Sequence, residues 1–352
     1  MKILYGVPGE GLGHATRSQV IIRYLLQQGH DVQVVSSSRA FAMLNQSFPE
    51  RVHEIKGFHL AYKNAAVSKL KTFTNTLKTA PENLKTNFAK YRKIAESFAP
   101  ELVISDFESF SYFFAKYHEL PIISIDNMQI MHRGKLDIKI PENQKQNYQL
   151  GKRIVQAKVP RCQHYLITSF FPALLEKEQT TLVPPIMRDA ILKASPVNGS
   201  HVLVYQSSTS QKNLVSTLQE LPQETFRLYG FNKTETHDNV QLKAFSEQGF
   251  IDDLSSAKAV LTNGGFSLIS EAVYLHKPVC SIPLENQFEQ FMNAAYVEKL
   301  GYGRHFETIT ADNLRAFLYD LNNFQSNLQG YHQNGNQELF KLLDQLLPTL
   351  HC

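Results

Sequence analysis

The chain has 352 residues, 43% of them hydrophobic and 19% charged, and carries a formal net charge of +4. That length suits two packed cores of roughly 150 residues each, and no run of about 18 or more apolar residues is present that could span a bilayer. A soluble cytoplasmic protein, at most peripheral to a membrane, is expected, because Met1 leads through Lys2 straight into an apolar strand with no cleavable leader pattern. Cys162, Cys280 and Cys352 are far apart and form no C-x-x-C pair, so neither a disulfide framework nor a zinc site is suggested.

Short apolar runs rich in Val, Ile and Leu alternate with helix-length segments along the whole chain, the pattern of parallel sheets covered on both faces. Ile3 to Val7 reads as the first strand. It is followed by Gly9-Glu10-Gly11-Leu12-Gly13-His14 and a helix through Val20, Ile21, Tyr24 and Leu25 that Gly29 ends. A glycine loop between strand and helix lets a ligand reach backbone N–H groups at the positive end of the helix, so Gly11 and Gly13 are candidates for a phosphate or acceptor loop. The third glycine of a dinucleotide fingerprint would fall on His14, and the next strand, Val32 to Ser36, ends in Ser37-Ser38-Arg39 instead of an acid. An NADP-dependent reductase therefore stays open as an alternative. An imidazole at the mouth of such a loop suits general base catalysis near neutrality; packing against the helix is the other reading of His14.

From Arg51 to Lys93, ten basic residues stand against Glu54 and Glu82 only, and residues 1–180 carry an excess of nine positive charges where residues 181–352 carry an excess of five negative ones. A solvated helical face explains this stretch as well as an anionic acceptor or an acidic lipid surface does. Nucleic acid is not expected, because no nucleic-acid motif accompanies the charge. Further strands are predicted at Leu102 to Ser105, Ile122 to Ile125 and Tyr165 to Thr168. Asp106 closes the first of these at the edge where open sheets bind ligands, so it is a candidate to orient His14. Its alternative is a helix cap, and Glu10 is a second candidate acid.

Pro184, Pro185, Pro196 and Gly199 punctuate a linker over 184–199 between domains at 1–183 and 200–330, with a last amphipathic helix in 331–352 that can cross back. A second strand series then runs through Val202 to Tyr205, Phe226 to Tyr229, Val260 to Thr262 and Val279 to Ile282. Asn263-Gly264-Gly265 ends one of these strands and opens a helix. Two glycines there let a diphosphate lie against backbone amides, with Ser267 near enough to donate a hydroxyl. Glu271, almost two turns on, is placed to accept from both ribose hydroxyls. Glu289 and Gln290, at the start of the next helix, are of the kind that reads a sugar's vicinal hydroxyls.

The ordered set from Gly249 to Gly303 resembles the donor domain of nucleotide-sugar GT-B glycosyltransferases, especially the MurG-like enzymes (family 28/1-like) that add N-acetylglucosamine to a lipid-linked precursor. Within that class the chain is similar to a microbial group with the same opening loop and the same Asn-Gly-Gly and Phe-Glu-Gln segments. The resemblance implies an α/β fold of two doubly wound Rossmann-like domains facing across a cleft. It also implies that Phe250 and Ile251 present backbone groups and an apolar edge to the base, that Gly264 and Gly265 hold the phosphates of a UDP-linked donor, that Glu271 binds ribose, and that Glu289 with Gln290 binds the sugar. His14 would be the base and Asp106 its partner in an inverting, metal-independent transfer with no cofactor. Two departures stand out. Leu268 occupies the position where relatives carry a hydroxyl, and Gln206-Ser207-Ser208-Thr209-Ser210 is hydroxyl-rich where they have glycines. Ser207, Ser208 and Thr209 are still expected to touch phosphate. Adjacent Asp252-Asp253 form no D-x-D pair and are expected to serve a turn before a helix. A nucleotide-sugar epimerase on the same fold and a non-catalytic binding protein remain as rivals.

Overall fold

The computed structural model describes residues 1–9, 11–55, 96–206 and 213–350. Its first half runs β1 (Lys2–Gly6), α1 (Leu12–Gln27), β2 (Asp31–Ser36), α2 (Ser38–Ser47), β3 (Val52–Glu54), β4 (Leu102–Ser105), α3 (Ser109–Tyr117), β5 (Ile122–Asp126), α4 (Ile130–Arg133), β6 (Gly134–Lys135), α5 (Glu142–Lys158), β7 (His164–Thr168), β8 (Leu174–Leu175) and β9 (Thr180–Val183). Seven of these strands pair in the order β3-β2-β1-β4-β5-β7-β9, every neighbouring pair parallel. Side chains alternate along β1: Ile3 and Tyr5 join the core under α1 and α2, and Leu4 joins the core under α3 and α5. Burial on both faces is why the strands read as unbroken apolar runs.

The second half runs α6 (Asp189–Leu192), β10 (His201–Tyr205), α7 (Leu214–Gln219), β11 (Thr225–Tyr229), β12 (Glu235–His237), β13 (Val240–Leu242), α8 (Glu247–Ser255), β14 (Ala259–Thr262), α9 (Phe266–Tyr274), β15 (Val279–Ser281), α10 (Phe288–Lys299), β16 (Gly303–His305), α11 (Ala311–Tyr319), α12 (Leu321–Leu328) and α13 (Gln337–Thr349). Its sheet, ordered β12-β13-β11-β10-β14-β15-β16, is parallel except for the β12–β13 edge. The fold is thus two doubly wound α/β units. The nine strands expected from the sequence are all present. Of those it did not reveal, β3, β13 and β16 are three residues long, too short to display a period of two.

One apolar cluster runs through both units. Across their seam Phe171 stacks on Tyr296 with centroids 3.6 Å apart, Tyr148 meets Phe288 at 4.9 Å, and the Asp137 amide donates to the Tyr296 hydroxyl at 2.9 Å. The chain between the sheets is fastened from the far end of the sequence. The Asn336 side chain accepts from the Met187 amide at 2.8 Å and donates to its carbonyl at 2.7 Å. Beyond it α13 lies on the first unit, burying Leu339, Leu343 and Leu347 in the core shared with α1. There Phe340 stacks on Tyr24 at 3.8 Å, and the Tyr24 hydroxyl donates to Asp344 at 2.7 Å.

Candidate active site

In a doubly wound sheet the ligand crevice opens where strand order reverses, because the loops on either side of that point diverge. In the first sheet the reversal lies between β1 and β4, whose following segments carry His14 and Asp106. The Asp106 amide donates to Gly6 O at 2.9 Å, which holds the two strand ends together. His14 stands in the first turn of α1, about a quarter exposed, with Nδ1 2.9 Å from Oδ1 of the fully buried Asp106. Asp106 does not cap the next helix: Glu108 does, accepting from the amides of Phe110 at 2.7 Å and Ser111 at 2.6 Å.

A third group fills this corner. Arg17, one turn after His14 and buried, donates from Nε to Asp106 Oδ2 at 2.8 Å and from Nη2 to Asp106 Oδ1. Nη2 also lies 2.7 Å from His14 Nδ1, and Nη1 donates to Asn127 Oδ1 at 2.7 Å. The Ser18 hydroxyl adds a bond to Asp106 Oδ2 at 2.9 Å. Burial by itself would raise the Asp106 carboxyl, but the Arg17 guanidinium, with His14 beside it, holds the group well below the usual carboxylate range.

The second sheet reverses between β10 and β14. Gly264 follows β14 with φ +96, and a Cβ there would lie 2.9 Å from Gln290 O and 3.0 Å from Ser281 Oγ. Gly265 is the N-cap of α9 and makes no side-chain cap; Gly11 likewise leaves the start of α1 uncapped. These two helix starts face each other: a Cβ on Gly13 would come within 2.5 Å of Ser267 Oγ. Beside them, Asn127 Nδ2 donates to Glu289 Oε1 at 2.7 Å, a bond from the first unit to α10 of the second.

Other expected residues sit differently. Both oxygens of Glu271 are taken by Arg188, from Nε at 2.7 Å and Nη2 at 2.8 Å, and Arg188 Nη1 reaches Glu247 at 3.0 Å. Ribose hydroxyls are therefore not the carboxylate's only partners, as its position in the sequence suggested. Phe250 and Ile251 are buried within α8, and the Phe250 amide donates to Ser246 O at 2.9 Å, so helix formation has consumed the backbone expected to meet a base. Gln290 Oε1 accepts from the Leu284 amide at 2.9 Å and braces the loop before α10. Asp252 and Asp253 also lie inside α8 instead of in a preceding turn. Asp253 is buried against Lys243 Nζ at 2.5 Å and Arg227 Nη1 at 2.6 Å. Glu10, Ser207, Ser208 and Thr209, and all of the basic stretch beyond Ile55, fall outside the described residues.

Sequence reasoning missed Arg17, Asn127 and Arg188. The first two left a signal, since Arg17 shares a helix face with His14 and Asn127 follows β5 at the ligand edge of the sheet. Arg188 left none in a proline-punctuated linker.

Residues 1–322 match the family model for glycosyl transferase family 1. The chain belongs to this family. It is 26% identical over 337 residues to an uncharacterized glycosyltransferase of Methanosarcina acetivorans, an alignment covering 86% of this chain and 85% of the relative. It is 25% identical over 187 residues, 46% of this chain and 52% of the relative, to UDP-N-acetylglucosamine--N-acetylmuramyl-(pentapeptide) pyrophosphoryl-undecaprenol N-acetylglucosamine transferase 3 of Bacillus cereus. The solved structure of the glycotransferase of kitacinnamycin superposes with a TM-score of 0.68 at 17% identity, covering 98% of both chains. The glycosyltransferase fold is thus of the GT-B type, and the helix starts at its two switch points approach each other at Gly13 and Ser267. Family membership favours neither the epimerase nor the reductase alternative. Among the described residues of this glycosyltransferase, no helix is long and apolar enough to cross a membrane.

Proposed function

We propose that the enzyme moves a sugar from a nucleoside diphosphate donor, uridine-linked by the likeness to the Bacillus cereus transferase, onto an acceptor hydroxyl with inversion and without a metal ion. The observation that carries this reading is the meeting of two uncapped helix starts, at Gly13 and Ser267, beside the His14–Asp106 pair. Each helix start offers unpaired N–H groups and about half a positive charge, so together they suit the two charges of a leaving diphosphate and supply the potential a cation would otherwise bring. His14 Nε2 takes the acceptor proton as the hydroxyl attacks the anomeric carbon from the face opposite the diphosphate. Asp106, ionised and desolvated, stabilises the imidazolium that results. Glu289 reads the sugar's hydroxyls, and Glu271 meets the ribose from beside Arg188.

The test is thermal unfolding with nucleoside diphosphates, with and without EDTA. A ligand at 100 times its Kd adds about 2.7 kcal/mol, so UDP should raise the Tm measurably, and donor turnover should survive chelation. No shift with any nucleoside diphosphate would remove the donor reading; turnover lost to EDTA and restored by magnesium would remove the metal-free mechanism. For the acceptor, the basic excess of residues 1–180 supports an anionic or membrane-borne molecule. Co-sedimentation with anionic vesicles at low salt, lost on Lys85→Glu, Lys90→Glu and Lys93→Glu together, is expected; wild-type protein left in the supernatant would rule out the membrane version.

A further inference from the structure

Lys277 stands between α9 and β15. Because β14 and β15 run parallel, a residue that precedes β15 lies at the opposite edge of the sheet from Gly264, which follows β14. The Lys277 side chain is 1% exposed, and its ammonium donates to Val197 O at 2.7 Å. An ammonium carries three donors and one full charge. No carboxylate among the described residues pairs with it, and burial alone moves its pKa, from 10.5 down to about 8, so the group is still charged at pH 7. A buried charge without a counter-charge is costly, and an ionic ligand is one means of completing the set.

The surroundings leave room for one. A cavity of about 390 Å³ opens between the end of the linker and α12, lined by Lys277, Asn198, Asn322, Gln325, Ser326 and Gln329. Val197, whose carbonyl holds the ammonium, adjoins Asn198 of this lining, so the charge sits at the cavity wall. The volume is within the range of small-molecule sites. Four carboxamides and a hydroxyl both donate and accept, as a cluster of ligand hydroxyls requires. Asn322, Gln325 and Gln329 recur at spacings of three and four, which aligns them on one face of α12 and its C-cap. One ammonium matches the single charge of a carboxylate, whereas a phosphate ester carries nearly two.

We propose that this cavity is a second ligand site, for a small polyhydroxylated carboxylate of the uronate or aldonate class. Its carboxylate pairs with Lys277, and its hydroxyls are read by the amides along α12. The site lies at the far edge of the sheet from the turn at Gly264, so it is separate from the donor crevice and does not depend on that reading.

The experiment is calorimetry of the full chain at pH 7 with sodium glucuronate, and with glucose and acetate as its uncharged and hydroxyl-free counterparts. Glucuronate should bind saturably, one per chain, and each counterpart at least about tenfold more weakly, or about 1.4 kcal/mol. Lys277→Met keeps most of the volume without the charge and should abolish binding. Gln325→Leu alters the cavity wall, leaves the buried lysine in place and should weaken binding about threefold to tenfold. Absence of saturable heat with glucuronate overturns the proposal. Equal affinity for glucose or acetate does so too, because neither the charge nor the hydroxyls would then be read together, and undiminished binding by either variant would place the ligand elsewhere and refute the site.

Discussion

Replacing Gly264 and Gly265 one at a time by alanine separates what the turn needs for folding from what it needs for binding. At Gly264 the backbone has φ +96, and the added Cβ would meet Gln290 O at 2.9 Å, Ser281 Oγ at 3.0 Å and Gln290 Cβ at 3.1 Å. Its carbonyl is also held by the fully buried Asn293 at 3.0 Å, so the turn has little freedom to shift. A left-handed backbone costs an L residue about 1–2 kcal/mol, and overpacking a tight spot adds about 1–3 kcal/mol. The sum, about 2–5 kcal/mol, corresponds to a Tm lower by roughly 4–20 °C at about 2–4 °C per kcal/mol. At Gly265 φ is −63 and no heavy atom lies within 4 Å of the new Cβ. Gly265→Ala should therefore leave the Tm within about 2 °C, because the stiffer unfolded chain offsets the weaker N-cap. Its methyl nevertheless stands at the start of α9, where the diphosphate is proposed to lie, and should weaken UDP binding at least about tenfold, or about 1.4 kcal/mol. Scanning fluorimetry and calorimetry with UDP on both variants decide the matter. Equal loss of Tm in the two, or Gly265→Ala with undiminished affinity, would refute this account of the turn.

Glu271→Ala should lower the Tm as well as UDP affinity, because Arg188 loses both bonds of a shielded pair; breaking such a pair costs about 3–5 kcal/mol, and a loss of affinity with full stability would show the pair to be dispensable. Glu271→Gln, which keeps volume and one acceptor, should recover part of the stability and little of the binding. Lys277 is 1% exposed, donates to Val197 O at 2.7 Å, and is pushed by burial from 10.5 down to about 8. Between those values the unfolded chain binds more protons than the folded one, so stability rises as pH climbs from about 8 to about 10.5. Lys277→Met should abolish that rise and stabilise the protein at pH 7 by up to on the order of 3 kcal/mol; denaturant melts at pH 7 and 10 that match wild type would refute it.

The sequence by itself determined the two sheets, because strands buried on both faces must be apolar throughout, and Ile3 to Val7 or Val202 to Tyr205 can be little else. It also determined the turn at Gly264, where a left-handed φ of +96 favours glycine, and the candidacy of His14 and Asp106, which follow strands at the ligand edge. Tertiary structure alone decided which groups meet there. Arg17 enters the His14–Asp106 pair because β4 is laid beside β1, and Asn127 reaches Glu289 because an aromatic seam draws the units together; those partners are 89 and 162 residues apart in the chain. Arg188 covers Glu271 across 83 residues for the same reason, and Phe250 and Ile251 lose their expected exposure because α8 continues through them. Local pattern records which side chains are buried or turn the chain, since those demands act on each residue where it stands. Hydrogen-bond partners are chosen by the packing of distant elements, and no spacing along the sequence carries that choice.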